Sequence, residues 1–427
     1  MKALRIGFVA FIVALFLAGC SSSSNNGAPP DAFMRFVHVS PFTGAVKIAV
    51  DGKTILPSLD YHVATPYIAI NPGLHTVTYN DTATGALLYT EQISVFSTGQ
   101  YTFYFYGGPG AISALASIDG TADASSEYFK FRLINLGTGL GSVDLYVLAP
   151  GTDIATATAA ITGVAYTGTS MYIGGAVGTY DLAVTPTGSK QIIYSTGVLP
   201  FVSNAKVTLT LFSAGSATLG NGVMVTTGGL SVFVDNDQAQ ARFVAAMPDE
   251  SRSDLLIEDT AFVSGAAYGT ASTYATTDSG VSNVKIQPSS SPGAYVYNQD
   301  QAVAPAADMS LVGYSILGTG NAGLLALVDN NLPPLANKAK LRIVNASSDA
   351  TAYDVYLNTN KIVSALAQTT ASAYQQLDPA STTVTVQPAG TSTVAATLPL
   401  TLANPHVYTV FITGQTGAVQ LLGSTDR

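Results

Sequence analysis

Four of the seven arginines in this 427-residue chain stand at matching places. Arg35, Arg132, Arg242 and Arg342 sit near the start of short apolar segments: Met34-Arg-Phe-Val-His, Phe131-Arg-Leu-Ile-Asn, Ala241-Arg-Phe-Val-Ala and Leu341-Arg-Ile-Val-Asn. A guanidinium is a flat, permanent cation with five fixed donors, so it can clamp an anion or lie over an aromatic ring. One arginine per unit at the same strand position points to a structural use. Each is expected to cover a ring or pair with a carboxylate, its stem lying along the sandwich end.

The remaining reactive side chains do not converge. His38, His62, His75 and His406 occupy different places in their units, and a zinc site would need several nitrogen or sulfur donors together. No Gly-x-Ser-x-Gly elbow is present. Ser203-Asn-Ala-Lys206 and Ser282-Asn-Val-Lys285 match Ser-x-x-Lys, but run into apparent strands, where residues three apart face opposite ways. No catalytic residue, cofactor or metal is assigned. Asp235-Asn-Asp237 faintly resembles the calcium linkers of cadherin repeats, but a capped turn is the simpler account. Tyr101-Thr-Phe-Tyr-Phe-Tyr106 places Tyr101, Phe103 and Phe105 on one face and Thr102, Tyr104 and Tyr106 on the other. One face must be core. Tyr104 and Tyr106 are then binding candidates for a glycan or an envelope protein, or they pack against the second unit.

The elements that position these groups repeat. A tyrosine follows the arginine by 32 residues at Tyr67, Tyr274 and Tyr374, and by 40 at Tyr172, where the Ala/Thr-rich run Pro150 to Gly163 adds eight. Six residues before it stand Tyr61, Tyr166, Tyr268 and Gln368, and six after it Gly73, Gly178, Gly280 and Ala380. The glycine suggests a turn with positive φ. Repeats of roughly 100 residues are themselves domains.

Met1–Gly19 reads as a signal peptide, with Lys2 and Arg5 before an uncharged apolar run too short to span a bilayer easily. Leu17-Ala-Gly-Cys20 resembles the bacterial lipobox, which implies lipid on Cys20, the single cysteine. Residues 20–32 then form a Ser/Asn/Pro tether. Ser21, with no aspartate after the cysteine, resembles the outer-membrane sorting pattern if the host has two membranes. Four modules follow at residues 33–121, 129–229, 239–330 and 338–427, with the third divergent. Their acidic, proline-bearing boundaries suggest a string of modules with limited bending.

Charged residues are 10% of the chain, there are 22 tyrosines and no tryptophan, and the net charge is −9. Removing Lys2 and Arg5 makes it −11, which disfavours nucleic acid and anionic headgroups as partners. Thr, Val, Tyr and Gly enrichment argues for strands. In the first copy strands are expected near 33–39, 46–50, 66–70, 76–80, 87–95, 101–107 and 112–118. The fold class is therefore all-β: four tandem immunoglobulin-like β-sandwich modules after a lipoprotein signal peptide.

The opening Arg-x-Val, the Val-Asp-x-Tyr strand as in Tyr353-Asp-Val-Tyr356, the Tyr-x5-Gly turn and the closing Asp-Asn resemble the family of domains of unknown function numbered 4397. The resemblance implies a β-sandwich envelope module and supplies no catalytic residues. The function expected is a non-catalytic, lipid-anchored envelope protein acting in binding, adhesion or envelope structure. Its rivals are a hydrolase with an unrecognised site and an outer-membrane β-barrel; the domain-length repeat speaks against the barrel.

Overall fold

The alternation of Tyr101–Tyr106 fixes two surfaces of the first module at once. Tyr101, Phe103 and Phe105 enter its core with Met34, Phe36, Ile48, Val77 and Tyr79. Phe36 stacks on Phe103 at 5.2 Å and Tyr79 on Phe105 at 5.1 Å. The structure, a computed structural model, describes residues 31–108, 110–119, 128–226, 231–349 and 351–427. No helix occurs among the described residues.

The first module has strands β1 (Ala32–His38), β2 (Val46–Val50), β3 (Lys53–Leu59), β4 (Val63–Ala64), β5 (Ile68–Ile70), β6 (Gly73–Asp81), β7 (Leu87–Val95), β8 (Gln100–Tyr106) and β9 (Ser113–Ile118). One sheet joins β4 and β5 to β1, then β8 and β9; the other runs β3-β2-β6-β7. β1 and β8 are parallel, with Arg35 opposite Thr102. β3 goes beyond the expected strands. It holds Pro57, which a sheet tolerates because β3 is an edge, and its pairing with β2 shifts register there. The other three modules repeat both sheets, each first strand lying parallel to its counterpart of β8. The described strands thus form eight separate sheets, a sandwich architecture rather than one closed barrel.

The recurring glycine is a positive-φ position only in part. Gly73 (φ 146°) and Gly280 (φ 107°) adopt it, whereas Gly178 does not. Ala380 in the fourth copy therefore breaks no rule.

The modules pair face to face. Val37, Val39, Tyr104 and Tyr106 of the first pack on Ile134, Leu136, Phe212, Val223 and Val225 of the second. Val244, Ala246 and Val312 of the third pack likewise on Val344, Ala346 and Phe411 of the fourth. The outward face of each first sheet, which a lone sandwich would wet, is thereby buried. Fully burying such a side chain contributes roughly 1.5–3 kcal/mol.

Within a pair both modules run the same way. Near the start of its strand, Arg35 reaches Ser231 Oγ (3.2 Å) of the second module. Reciprocally, Arg132 donates to Ser117 Oγ (2.6 Å) and the Ile118 carbonyl (3.0 Å) of the first. At the far end, Tyr106 meets Tyr166 edge to face at 6.3 Å.

The far end of this first pair carries the starting end of the second pair. Thr218 Oγ1 donates to Gln240 Oε1 at 3.0 Å, and Asn331 N to the Gly215 carbonyl at 2.9 Å. A Cβ on Gly215 would lie 2.8 Å from the Phe42 ring and 3.1 Å from the Asp329 carbonyl, so this joint requires glycine. The molecule is two stacked tiers, each a pair of sandwiches.

This arrangement corrects the string of modules expected from the boundaries. Asp119, Asn236, Asp329, Asn331 and Leu332 are all buried. The third boundary is wedged into the tier joint, where Leu332, Pro333 and Leu335 lie against Gly108, Gly139 and Gly110. Proline and asparagine there shape a buried joint, which a sequence pattern cannot distinguish from a hinge.

Candidate functional site

Each recurrent arginine lies over the tyrosine that follows it at the fixed interval. Arg35 is 4.3 Å from the Tyr67 ring centre, Arg132 4.5 Å from Tyr172, Arg242 4.7 Å from Tyr274 and Arg342 4.7 Å from Tyr374. The interval is the length of chain that returns to β1 after the second sheet's first hairpin. The guanidinium is stacked on its own module's ring and reaches across the seam.

The carboxylate it meets, across the seam for Arg132, Arg242 and Arg342 and within its own module for Arg35, lies two residues beyond the partner of the β8 hydroxyl. Thr102 pairs with Ser117, Ser310 with Leu327 and Thr409 with Ser424, giving Asp119, Asp329 and Asp426. In the upper tier the exchange is reciprocal: Arg242 of the third module pairs with Asp426 of the fourth at 2.6 Å, and Arg342 of the fourth with Asp329 of the third. The lower tier differs. Its second module carries Thr227 at the corresponding position, outside the described residues, because Thr208 pairs with Val225. Asp119 consequently serves both arginines, Arg35 at 3.3 Å and Arg132 at 3.5 Å, and accepts from Tyr67 Oη at 2.8 Å and from Thr102. Burial, then the Asp119 charge, pushes the Tyr67 hydroxyl up, so it remains a donor. The tyrosine six residues earlier also lies in the seam: Tyr268 Oη is 3.2 Å from Thr413 Oγ1 across the upper tier.

Tyr104 and Tyr106 are in that seam rather than on an open surface; Tyr104 has no exposed area. The stripe considered for a glycan or envelope partner is covered by the second module, because a β-sheet face this apolar is most stable against another such face. Cys20 lies outside the described residues.

The histidines are dispersed. His38 is buried, with Nε2 3.2 Å from the Gly44 carbonyl and Nδ1 accepting from Ser40 N at 3.3 Å; burial pulls its pKa down to about 4. His62 faces Asp235 across the lower seam at 3.0 Å and lies on Phe233. His75 bridges Asp51 and the Asn71 carbonyl, both at 2.7 Å, and His406 contacts the Arg427 carbonyl at 3.0 Å. Ser282 and Lys285 point to opposite faces of one strand, Lys285 pairing with Asp259, while Ser203 sits on an exposed turn before buried Lys206. Asp235 binds Asn221 at 2.7 Å, and Asn236 donates to the Ile193 and Gly220 carbonyls, each at 2.9 Å. Those groups tie the second module's end together. No group of three metal-ligating side chains occurs among the described residues.

One feature had no sequence signal. A cleft of about 810 Å³ opens at the tier joint between Phe42 and Tyr166 below and Leu332, Pro333, Lys340 and Tyr374 above. Lys340 Nζ donates to the Asn330 carbonyl (2.7 Å) and Oδ1 (3.0 Å), and burial lowers its pKa to about 7. Lys340 stands two residues before Arg342, where the other copies have Phe33, Lys130 and Gln240, so no repeat marks it. Chemically the cleft offers apolar and proline walls with one amine that titrates near neutrality.

No curated protein matches the chain. Among solved structures, family 41 carbohydrate-binding modules from streptococcal virulence factors, described as recognising alpha-glucan, are similar at 13% identity and a TM-score of 0.16. That likeness covers 42% of this chain and 93% of theirs. The family 26 module CBMbc of Eubacterium rectale Amy13K, in complex with maltoheptaose, is similar at 12% identity and a TM-score of 0.17, covering 46% and 97%. These likenesses are too slight to bear on a ligand. A family model described as "Domain of unknown function (DUF4397)" matches residues 32–146, 239–352 and 339–427. The part of the second module it passes over holds the insertion at Pro150 to Gly163, yet that module has the same two sheets. With most of its length matched, the chain belongs to the DUF4397 family.

Proposed function

We propose that the protein is a non-catalytic, lipid-anchored envelope protein: a two-tier stalk held by lipid on Cys20, in the outer membrane of a two-membrane host, that presents its far end to an envelope protein or glycan. The observation that carries this reading is the use of the repeat's ionic residues. Arg132, Arg242 and Arg342 ion-pair with Asp119, Asp426 and Asp329 of a neighbouring module, and Arg35, which pairs with Asp119 inside its own module, donates across the seam to Ser231. Such a chain builds a preassembled body rather than a site for turnover. The tier order supports a direction: described residues begin at Asp31 in the lower tier, and the Leu317–Gly320 and Gln415–Gly417 turns stand at the opposite end.

The test is capture of cross-linked partners from intact envelopes with the native protein. A variant in which the Leu317–Gly320 and Gln415–Gly417 turns are shortened should lose the partner while keeping its unfolding transition. Mass spectrometry of the native protein should find residues 1–19 absent and lipid on Cys20. An intact, unmodified Met1 start would sink the anchor; unchanged capture would remove the far end as the contact.

A further inference from the structure

The lower tier has an apolar rim at the end where the described chain begins. The turn from β7 to β8 is strapped to that point: Thr98 N donates to the Asp31 carbonyl at 3.1 Å and Gly99 N to the Phe96 carbonyl at 2.9 Å. Phe96 N in turn donates to Tyr101 Oη at 2.9 Å. This holds the Phe96 side chain outward, 68% exposed, beside Leu74 at 64%. Because the two lower modules run the same way, the matching turn of the second module lies at the same end, and its Val202 is 65% exposed.

The same turn position can be followed through all four copies, since it precedes the β8 hydroxyl residue by six. It is Phe96 before Thr102, Val202 before Thr208, Ala304 before Ser310 and Ala403 before Thr409. The two upper copies, whose turns face the tier joint, carry alanine. The two lower copies, whose turns face away from the rest of the protein, carry large apolar side chains. Solvent gives no reason for that difference, because water favours the reverse.

We propose that this rim, Phe96 and Leu74 of the first module with Val202 of the second, rests in the interfacial region of the membrane that anchors the chain. The inference rests on Cys20 as the point of attachment. Eleven residue-to-residue steps lead from Cys20 to Asp31, which is roughly 40 Å even fully extended, so this end of the lower tier can never be far from the acyl layer. The upper tier stands about 30 Å further away, one sandwich of strands up to nine residues long. Apolar side chains near a headgroup layer enter it and add to what the acyl chains hold. With a net charge of −11 once Lys2 and Arg5 are removed, the fitting surface is a zwitterionic leaflet rather than an anionic one. Rim contact would fix the stalk upright instead of letting it pivot on its tether.

The chain has no tryptophan and one cysteine, which makes the test direct. Residues 20–427, which keep every described residue, are coupled through Cys20 to a maleimide lipid in phosphatidylcholine vesicles with brominated acyl chains. Single tryptophans are placed by Phe96→Trp, Val202→Trp or, at the opposite end, Leu317→Trp. The coupling supplies the anchor whether or not the cell lipidates Cys20, so failure of the rim and failure of the lipid reading are distinguishable. Emission from the two rim positions should shift to the blue and fall about twofold, while Leu317→Trp stays unquenched. Equal quenching at all three positions, or none at any, would overturn the proposal. A blue shift already present without vesicles, with a doubled mass in solution, would assign the rim to a second copy and also overturn it. Unfolding midpoints establish that each variant is folded, and Leu74→Trp replaces any rim variant that is not.

Discussion

Arg342 of the fourth module is ion-paired to Asp329 of the third, across a seam in which neither side chain is more than 3% exposed. The guanidinium also lies on Tyr374, and Asp329 accepts from Tyr274 and Ser310 Oγ, both at 2.6 Å. A buried pair like this is worth little against an apolar replacement of both partners, but removing one partner strands the other.

Arg342→Ala or Asp329→Ala alone should therefore cost about 3–5 kcal/mol, read from urea unfolding of the upper tier. The double variant Arg342→Met/Asp329→Leu should recover much of that loss. A double variant as unstable as the sum of the singles would show that the two residues act independently.

Tyr104→Ser tests the lower seam. Its ring is fully buried among Ile134, Phe212 and Val223, so the substitution should destabilise by about 3–5 kcal/mol. An unfolding midpoint within error of the parent would mean the seam is open in solution and would return the stripe to the list of accessible surfaces.

How far the sequence was legible follows from these residues. The interval from arginine to tyrosine was visible, and so was the use of the cation on a ring, because both groups belong to one repeat. The acidic boundaries were visible too, but as linkers. Asp119, Asp329 and Asp426 end one copy and act on an arginine of another, so nothing local distinguishes a seam carboxylate from a solvated one. The alternation of Tyr101–Tyr106 established two faces without saying what covered the second. Lys340 was silent because the group it donates to, Asn330, stands at the end of the preceding module.

Two buried bases set separate pH windows, in both of which stability rises with pH. His38 accepts from Ser40 N, so protonating it would place a proton against an N–H, and its pKa of about 4 lies below the usual 6.5. Between pH 6.5 and 4 the unfolded chain binds more protons, so lower-tier stability should fall with pH across that window, by up to roughly 3 kcal/mol. His38→Gln should flatten the slope. For Lys340, with a pKa of about 7 against 10.5, the upper tier should gain stability as pH rises from 7 to 10.5, and Lys340→Met should abolish that gain. A pH profile unaltered by either substitution would contradict the burial of that base.

The fourth module by itself holds both halves of a clasp, Arg342 and Asp426, as the third does with Arg242 and Asp329. Residues 338–427 expressed by themselves would expose Val344, Ala346 and Phe411, and should form a two-fold dimer in which each copy's arginine meets the other's aspartate. The second module, with Thr227 at the carboxylate position, should not. Sedimentation equilibrium decides it: a monomeric fourth module of ordinary stability would count against the seam.

The distance between the tiers tests the whole arrangement most directly. Spin labels at Gln92→Cys in the lower tier and Thr319→Cys in the upper, both exposed positions, in a Cys20→Ser background, report it by double electron–electron resonance. Paired modules locked at a glycine joint should give one narrow distance distribution, unchanged by added salt because the seams are buried. A broad or multimodal distribution would mean four beads on a string, and would contradict the stalk.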